Sequence, residues 1–343
     1  MAHSRATVLV TGGAGYVGSH VCKALSRVGY LPVVYDNLLR GHEWAVKWGP
    51  LERGDVRDRA RLGDVFARHK PAAVLHIAGL AYVGESISDP GPYYETNVAG
   101  SLALIETMRN FGSMPILFSS TCATYGNPDK LPIDEATPQK PISPYGVSKL
   151  MVERMLVDFE RAHGLRFTAL RYFNAAGADL EGELGETHDP ETHLIPLVLG
   201  AASGRSPAIS ILGADYETPD GTCVRDYVHV TDLAAAHVLA LRALEQGTAR
   251  RAYNLGIGSG FSVREVIAAA ERVTGGKVPF CVSPRRDGDP PALVSDATRA
   301  REDLGWRPKV IDLDDIVRSA WIWHQRGRQS APFEAPPQSE RKT

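Results

Sequence analysis

The segment "VLVTGGAGYVGSH", residues 8–20, joins a run of apolar residues to a helical pattern through a glycine-rich turn. Its glycines include Gly12, Gly15 and Gly18, a spacing that lets the backbone turn tightly and approach a bound phosphate closely. The helix that follows offers unpaired N–H groups and the positive end of its dipole. The sequence therefore predicts a strand, a turn and a helix that bind a diphosphate.

An acidic residue further along the chain makes this interpretation more specific. Asp36 ends the next apolar run, where a carboxylate can accept hydrogen bonds from the ribose hydroxyls of an adenosine. Because a carboxylate would repel a 2′-phosphate, NAD is the expected cofactor rather than NADP. Arg40 weakens this preference, since an arginine can bind such a phosphate. The alternative is a structural glycine turn followed by an ordinary surface aspartate.

The first half of the chain alternates apolar runs with segments of helical length. Buried strands are predicted at 7–10, 31–35, 72–78, 115–120 and 166–173. Helices are predicted at 17–28, 58–69, 93–111 and 145–162. Such alternation is typical of βαβ units, whose right-handed crossovers build a parallel sheet covered on both faces. The expected fold class is α/β, with a Rossmann-type doubly wound parallel sheet.

The pattern changes after about residue 175. The stretch "GADLEGELGETHDPETHLIP", residues 177–196, is rich in glycine, proline and acidic residues and predicts a binding loop. Helices follow at about 195–203, 231–245, 262–274 and 312–325, with short strands near 209–212 and 252–255. We therefore expect an NAD-binding domain at 1–175 and, at 176–326, mainly a smaller α/β substrate-binding lobe, with some segments returning to the sheet. The polar, proline-rich tail at 327–343 predicts disorder.

Composition excludes several classes of partner. The 343 residues are 43% hydrophobic and carry a formal net charge of −2, with no block of like charges, so neither nucleic acid nor a membrane surface is an expected partner. The four cysteines match no metal-ligand spacing, and no metal site is expected. The N-terminus has no signal-peptide pattern, and no apolar run is long enough to span a membrane. A cytoplasmic location is the expectation.

Two further segments carry groups suited to proton transfer. In "SPYGVSKLM", residues 143–151, Tyr145 and Lys149 lie four positions apart, so on a helix they share a face. A cation beside a phenol favours its deprotonated form, which a base near neutral pH requires. "FSSTCATYG", residues 118–126, places hydroxyls at the end of a predicted strand, where open α/β sheets bind ligands. An isolated YxxxK pair would instead suggest a helix tyrosine and a solvated lysine.

Together these segments resemble the extended short-chain dehydrogenase/reductase family, and in particular its nucleotide-sugar 4-epimerases that act on UDP-glucose. Further matches run from about residue 7 to 325: "TGGAGYVGSH", "AGLAYVGES", "YYETNVAG", "LRYFNAAGA", "GTCVRDYVHVTDLAAAH", "YNLGIGSG" and "PRRDGDPPA". The resemblance implies that tightly bound NAD oxidises the sugar at C4 to a 4-keto sugar, which is then reduced on its other face. It thus implies interconversion of UDP-glucose and UDP-galactose, with the second lobe binding the UDP-sugar.

The resemblance also implies the roles of individual residues. The catalytic residues would be Thr121, which holds the sugar 4-oxygen, Tyr145, which takes its proton, and Lys149, which binds the nicotinamide ribose and lowers the Tyr145 pKa. The expected cofactor-binding residues are Gly12, Gly15, Tyr16, Val17, Gly18, Asp36, Asn37, Asp55, Val56, Ala78, Gly79, Asn97, Ser119, Tyr145, Lys149, Tyr172 and Phe173. The expected substrate-binding residues are Thr121, Tyr145, Asn174, His193, Leu194, Arg225, Arg286, Asp289 and Leu293.

Related activities and departures from the family pattern leave alternatives open. A 4,6-dehydratase needs a carboxylic acid after the threonine, and here Cys122 and Ala123 follow. An inactive NAD-binding regulator would not need the three catalytic residues. Ala81 and His193 stand where relatives have lysine and asparagine, and Leu293 is intermediate in bulk beside the sugar's C2 position. UDP-xylose/UDP-arabinose or UDP-N-acetylhexosamine epimerisation therefore remains an alternative. The family pairs through helices at about 93–111 and 145–162, which implies a homodimer.

Overall fold

The computed structural model describes residues 5–112 and 114–326. The predicted disordered tail at 327–343 lies outside these residues. The strands, in chain order, are β1 (Thr7–Thr11), β2 (Leu31–Asp36), β3 (Leu51–Arg53), β4 (Ala73–His76), β5 (Ile116–Thr121), β6 (Phe167–Tyr172), β7 (Asn174–Ala176), β8 (Ile209–Leu212), β9 (Val224–Arg225), β10 (Tyr227–His229), β11 (Ala252–Leu255), β12 (Phe261–Ser262), β13 (Phe280–Ser283) and β14 (Ala292–Leu293).

The helices alternate with these strands through most of the chain. They are α1 (Tyr16–Arg27), α2 (Arg59–His69), α3 (Val83–Ser88), α4 (Gly91–Tyr93), α5 (Gly100–Asn110), α6 (Pro144–His163), α7 (Leu194–Ala202), α8 (Val230–Glu245), α9 (Val263–Thr274), α10 (Thr298–Asp303) and α11 (Leu313–Arg326). A π-helical segment, Tyr94–Ala99, joins α4 to α5. Among the described residues, none of the helices combines the length and apolarity needed to cross a bilayer.

A seven-stranded parallel sheet forms the centre of the fold. Its order is β11-β6-β5-β4-β1-β2-β3, and every neighbouring pair is parallel. The predicted α/β fold class with a doubly wound parallel sheet is therefore confirmed. From β1 the chain builds outward through β2 and β3, and from β4 it builds in the opposite direction. This reversal opens a crevice at the carboxyl ends of β1 and β4, where such sheets bind ligands.

Apolar side chains cover both faces of this sheet, as the sequence pattern requires. Along β1, Val8 and Val10 belong to the core on one face and Leu9 to the core on the other. The first core includes side chains of α1 and α8, and the second includes side chains of α2, α5 and α6. Since successive strand residues point to opposite faces, a continuous apolar run is what a sheet buried on both sides needs.

The second half of the chain divides between the sheet and a smaller lobe. β11 extends the sheet beside β6, and α8 packs against α1, so these two segments return to the first domain. The sequence interpretation expected some segments of 176–326 to return to the sheet without saying which ones, because strand order depends on contacts distant in sequence. The smaller lobe has its own core, built largely from α7, α9 and α11 with β8 and β13 alongside.

Helix α6 carries one face toward the central sheet. Ser143 caps its N-terminus by accepting a hydrogen bond from the Gly146 N–H at 3.2 Å, and Pro144 occupies the first helical position. Tyr145, Lys149 and Glu153 follow at intervals of four residues, and all three are buried. Their shared face is what the sequence spacing predicts.

A buried ion pair holds this helix against the sheet. The Arg171 guanidinium on β6 donates to the Glu153 carboxylate, with Nη2 2.6 Å from Oε2, and both side chains are less than a tenth exposed. Arg171 Nη1 also donates to the Tyr125 hydroxyl, which donates to Asn254 Oδ1 on β11. The network therefore links α6 to β6 and β11. It fixes the middle of the helix, about two turns beyond the turn that carries Tyr145.

We expect the substitution Glu153→Ala to lower the free energy of unfolding by about 3–5 kcal/mol, because it leaves the Arg171 charge buried and unpaired. Chemical denaturation followed by circular dichroism measures this change. The control is Asp303→Ala, which removes the partially exposed pair between Asp303 and Arg250 and should cost less than about 1 kcal/mol. Equal effects of the two substitutions would show that the buried pair does not anchor the helix.

Candidate active site

A cavity of about 660 Å³ lies between the carboxyl ends of the central strands and the smaller lobe. The glycine turn after β1 and Asp36 at the end of β2 line one part of it. Thr121 at the end of β5 lies deeper, and Arg225 and Asp289 of the second half of the chain line the remaining part. The cavity therefore brings together the predicted dinucleotide-binding turn, the hydroxyl groups at the end of β5 and the predicted substrate-binding residues of the second half of the chain.

The glycine turn has the close contacts that its residues imply. Gly12 has φ +72°, and a Cβ there would lie 2.6 Å from the Ala78 nitrogen. A Cβ on Gly18 would lie 2.0 Å from the Gly12 carbonyl oxygen. Gly15 precedes α1 without a side-chain cap, and the first turn carries no acidic residue. The N–H groups and positive dipole end of α1 thus face the cavity in a form suited to a diphosphate.

The Asp36 carboxylate, at the end of β2, lies beside the glycine turn and is held by backbone hydrogen bonds. It accepts hydrogen bonds from the Ala14 N–H (3.0 Å) and the Leu38 N–H (2.8 Å), and burial raises its pKa. Arg40 donates to the Asp189 carbonyl at 2.6 Å, and its guanidinium lies over the Tyr82 ring. The carboxylate, the turn and the helix N-terminus fit the adenosine, ribose and diphosphate of NAD, while Arg40 is engaged with other partners.

Two of the predicted catalytic residues place hydroxyl groups at the cavity. Thr121 ends β5 and Tyr145 lies in the first turn of α6, and both line the cavity although each is less than a tenth exposed. Burial raises the pKa of the Tyr145 phenol well above its ordinary value, and Tyr172 adds to this, whereas a hydrogen bond with Thr121 opposes it. The phenol is therefore protonated in the protein alone, and ionisation requires added positive charge.

Lys149 lies behind the cavity wall. Its ammonium donates to the Ser119 carbonyl at 3.0 Å and lies 4.9 Å from the centre of the Phe118 ring. Burial lowers the pKa of Lys149 to about 8. Burial is the largest influence on the pKa of both groups and raises that of the Tyr145 phenol, so the lowering of the Tyr145 pKa by Lys149 stays a prediction for the protein with its cofactor bound.

Two other predicted cofactor residues support the cavity from behind. The Asn97 amide accepts from the Leu80 N–H (2.8 Å) and donates to the Leu80 carbonyl (3.0 Å) and the Ser148 hydroxyl (3.0 Å). It thereby ties the segment after β4 to α6. The Ser119 hydroxyl lies 3.2 Å from His237 Nε2. Asn97 and Ser119 thus contact protein groups that lie behind the cavity lining. Asp55, which also lies outside the lining, accepts hydrogen bonds from Arg57 and Asn37.

The part of the cavity in the smaller lobe carries two arginines joined by one carboxylate. Arg286 donates to both oxygens of Asp289, at 3.0 and 2.9 Å, and Arg225 Nη2 lies 3.3 Å from Asp289 Oδ1. The three side chains carry a net positive charge. Arginine's planar group suits phosphate oxygens, so this part of the cavity has the charge and the donors that a nucleotide diphosphate requires.

All the predicted substrate residues line the cavity, and most of the predicted cofactor residues do too. The substrate residues are Thr121, Tyr145, Asn174, His193, Leu194, Arg225, Arg286, Asp289 and Leu293. The lining cofactor residues are Gly12, Gly15, Tyr16, Val17, Gly18, Asp36, Asn37, Val56, Ala78, Gly79, Tyr145, Tyr172 and Phe173. Asp55, Asn97, Ser119 and Lys149 are the predicted residues outside this lining.

The structure adds lining residues that the sequence interpretation missed, among them Tyr82, His188 and Cys223. Tyr82 lies within the family motif "AGLAYVGES", of which the sequence interpretation assigned only Ala78 and Gly79 to the site. The motif could therefore have pointed to Tyr82 as well. His188 comes from the irregular segment before α7, which has no periodicity. Burial favours the neutral form of its ring, but Glu186 and Glu191 raise the His188 pKa to about 9.

Comparisons with known proteins agree with this geometry. Residues 8–256 match the NAD dependent epimerase/dehydratase family. The UDP-glucose 4-epimerase of Rhizobium leguminosarum bv. trifolii is 53% identical over 323 residues, which cover 94% of this chain and 98% of that protein. The crystal structure of UDP-glucose 4-epimerase from Brucella ovis in complex with NAD superposes with a TM-score of 0.90 at 53% identity, covering 92% of this chain and 98% of that one.

A second solved structure is similar over almost the whole chain. UDP-glucose-4-epimerase from Stenotrophomonas maltophila, with bound NAD and formylated UDP-arabinopyranose, has a TM-score of 0.90 at 40% identity and covers 96% of this chain and 100% of its own. The similarity thus extends from the glycine turn through the smaller lobe. With its parallel sheet, glycine turn and matched residues 8–256, the chain belongs to the NAD dependent epimerase/dehydratase family.

Proposed function

We propose that this protein interconverts UDP-glucose and UDP-galactose by reversible oxidation at C4, using tightly bound NAD. The observation that carries the proposal is the placement of the Thr121 and Tyr145 hydroxyls in one cavity with a dinucleotide-binding turn and a pair of arginines. Similarity to UDP-glucose 4-epimerases over more than nine-tenths of the chain supports it. In this proposal the sheet domain binds NAD and the smaller lobe binds most of the UDP-sugar.

The protein residues supply placement, charge and a path for one proton. Thr121 holds the sugar 4-oxygen, and Tyr145 accepts the 4-hydroxyl proton in one direction and returns it in the other. The Lys149 ammonium, fixed by the Ser119 carbonyl, keeps positive charge behind the phenol. When bound, NAD supplies a two-electron acceptor with a positive ring and later returns the electrons to the keto sugar.

The two arginines provide the grip on the nucleotide. In our proposal Arg225 and Arg286 bind the diphosphate, and Asp289, which joins them, binds the uridine ribose. Asn174, His193 and Leu194 complete the wall between the diphosphate and the sugar. Anchoring the distant nucleotide leaves the hexose free to turn over within the cavity, so either face of C4 can be presented to the cofactor.

The alternative dehydration reaction needs a carboxylic acid directly after Thr121, and this chain has none at that position. Cys122 and Ala123 follow Thr121, and burial raises the Cys122 pKa to about 12. The carboxylates that line the cavity are Asp36, Glu85 and Asp289, and none of them neighbours Thr121 in the sequence. Elimination needs an acid close to C5 and C6 of the sugar, so these residues favour epimerisation.

A second candidate function concerns the sugar rather than the reaction. Leu293 is 5% exposed and packs with Cys122, Tyr125, Ile133 and Phe173 beside the reactive hydroxyls. Its intermediate bulk does not by itself select against pentoses or N-acetylated hexoses. The Stenotrophomonas relative was crystallised with a formylated UDP-arabinopyranose. We therefore keep epimerisation of UDP-xylose/UDP-arabinose or of UDP-N-acetylhexosamines as the second candidate.

The experiment that tests the function is incubation of the purified protein with UDP-galactose and no added NAD, followed by proton NMR. UDP-glucose should appear until the two sugars reach equilibrium, because the cofactor stays bound between turnovers. Parallel incubations with UDP-N-acetylglucosamine and UDP-xylose give the order of preference. If no UDP-glucose forms but another UDP-sugar is converted, the second candidate function is favoured. If none of the UDP-sugars is converted, the proposed epimerase activity is rejected.

We expect Tyr145→Phe to retain bound NAD and lose activity by about 10²–10⁴-fold, since the variant keeps the ring and removes only the proton-accepting hydroxyl. Activity is measured by the same NMR assay, and NAD is quantified after acid release. Tyr30→Phe is the matched control, because the Tyr30 hydroxyl donates to Glu245 far from the cavity. A Tyr145→Phe rate near that of the control would remove this tyrosine from the mechanism.

The protein should form a homodimer through the helical segments at 93–111 and 145–162. Tyr94 and Met151, one in each segment, expose large apolar side chains, and pairing of these helices would cover them. Light scattering coupled to size exclusion should give twice the 37.2 kDa chain mass. Met151→Glu should shift the protein toward monomer, while a monomeric mass for the unmodified chain would contradict the expectation.

A further inference from the structure

A cluster of two histidines and two glutamates lies beside the cavity in the segment that precedes α7. Its members, Glu186, His188, Glu191 and His193, bring one nitrogen or oxygen atom each to within 4.8 Å of one another. The sequence expectation of no metal site rested on the cysteines and did not consider this E-x-H-x-x-E-x-H spacing. We propose that these four side chains bind a divalent transition-metal ion, with Zn²⁺ as the best fit.

The separations between the side chains suit ligands of one ion. Four ligands at Zn–N and Zn–O distances of about 2.0–2.2 Å in a tetrahedron lie roughly 3.3–3.6 Å from one another. His188 Nδ1 is 3.2 Å from Glu186 Oε1 and 3.7 Å from Glu191 Oε2, and His193 Nδ1 is 3.7 Å from Glu191 Oε1. The contact between Glu186 and His193 is closer than these three, so an entering ion would push this pair apart.

Direct pairing within the cluster gives His188 Nδ1 ion-pair contacts with two carboxylates but no well-aligned hydrogen bond. His188 Nδ1 is buried and makes no hydrogen bond to any residue within 5–112 or 114–326, despite its nearness to the two carboxylates. Buried polar atoms in native proteins normally have a partner, and an unsatisfied one calls for a reason. An ion bound between the carboxylates and the imidazoles would supply that partner.

The surroundings hold the four side chains in place. Glu191 Oε1 accepts from the Thr192 and His193 N–H groups at 2.8 and 2.9 Å. The Tyr16 and Tyr82 rings meet the His188 ring edge-on, with centroids 6.4 and 6.0 Å away. Trp323 Nε1 on α11 donates to the Glu186 carbonyl at 3.1 Å. Contacts of this kind orient metal ligands and raise affinity.

Charge and ligand chemistry select the class of ion. Once both imidazoles have released their protons on metal binding, the two carboxylates leave a charge of −2, which a divalent cation balances. Imidazole nitrogen suits zinc and its neighbours, whereas Mg²⁺ and Ca²⁺ prefer a shell of oxygen. With all four positions filled by protein, such a site is structural. Because the ligands lie within eight residues of sequence, the ion would close a short loop and hold His193 against the cavity, leaving its Nε2 free to donate to substrate.

The test uses the full chain without an affinity tag, freed of metal by a chelator and titrated with Zn²⁺ in competition with a chromophoric chelator. We expect one Zn²⁺ per chain, and Co²⁺ should show the visible absorption of four-coordinate geometry. His188→Gln should weaken Zn²⁺ binding at least about tenfold. His163→Gln, which alters an exposed histidine at the end of α6, is the matched control and should leave affinity unchanged.

Substoichiometric binding, or equal affinity in the unmodified chain and His188→Gln, would overturn the proposal and leave the four groups as an ion-pair cluster. Should circular dichroism show that His188→Gln is misfolded, Glu191→Gln replaces it and carries the same expectation. Zinc content and affinity are measured without any UDP-sugar, so failure of this proposal is distinguishable from failure of the proposed epimerase activity.

Discussion

The arrangement of the active site depends on the buried ion pair between Glu153 and Arg171. Helix α6 presents Tyr145, Lys149 and Glu153 along one face, so fixing the third of these side chains fixes the direction of the other two. Arg171 on β6 makes that connection and extends it through Tyr125 to β11. A strand from the second half of the chain thereby helps to hold a helix of the first domain. The ion pair thus stabilises the helix on which two of the proposed catalytic residues lie.

The same burial that places the reactive groups also opposes their charged forms. Tyr145 and Lys149 are both almost fully buried, so the phenol resists losing its proton and the pKa of the ammonium falls to about 8. The protein residues alone thus keep the phenol of Tyr145, the proposed proton acceptor, in its protonated form. A positively charged cofactor ring beside the phenol would favour its ionised form. This coupling would confine proton transfer to the loaded enzyme and protect the keto sugar from side reactions.

The sequence predicted the central elements well, because their signals are local. The apolar runs and the glycine turn determine β1, β2, β4, β5 and β6 to within a residue or two, and the YxxxK spacing places two side chains on one face. Strands such as Leu51–Arg53 and Val224–Arg225 were missed because two or three residues carry no periodicity. The place of Ala252–Leu255 in the sheet depends on distant contacts, which local patterns do not encode.

The site residues likewise divide into those that a local sequence motif reveals and those that only the fold reveals. Most of the predicted residues within family motifs line the cavity, although Asn97, Ser119 and Lys149 do not, whereas His188 lies in an irregular segment and was missed. Lys149 illustrates a different limit, because its spacing from Tyr145 follows from the sequence, whereas the lowering of its own pKa follows from burial that the sequence does not reveal. Side-chain pKa values follow from desolvation and neighbours in space, so they become predictable only once the fold is known.

The central claim is that Tyr145 is the group that exchanges a proton with the sugar 4-oxygen. A crystal structure of the protein with NAD and UDP-glucose tests it most directly. The account predicts the Tyr145 hydroxyl within about 2.6–3.2 Å of the 4-oxygen, with the Thr121 hydroxyl also in contact. A sugar whose 4-oxygen faces away from Tyr145 and contacts another titratable side chain would contradict it.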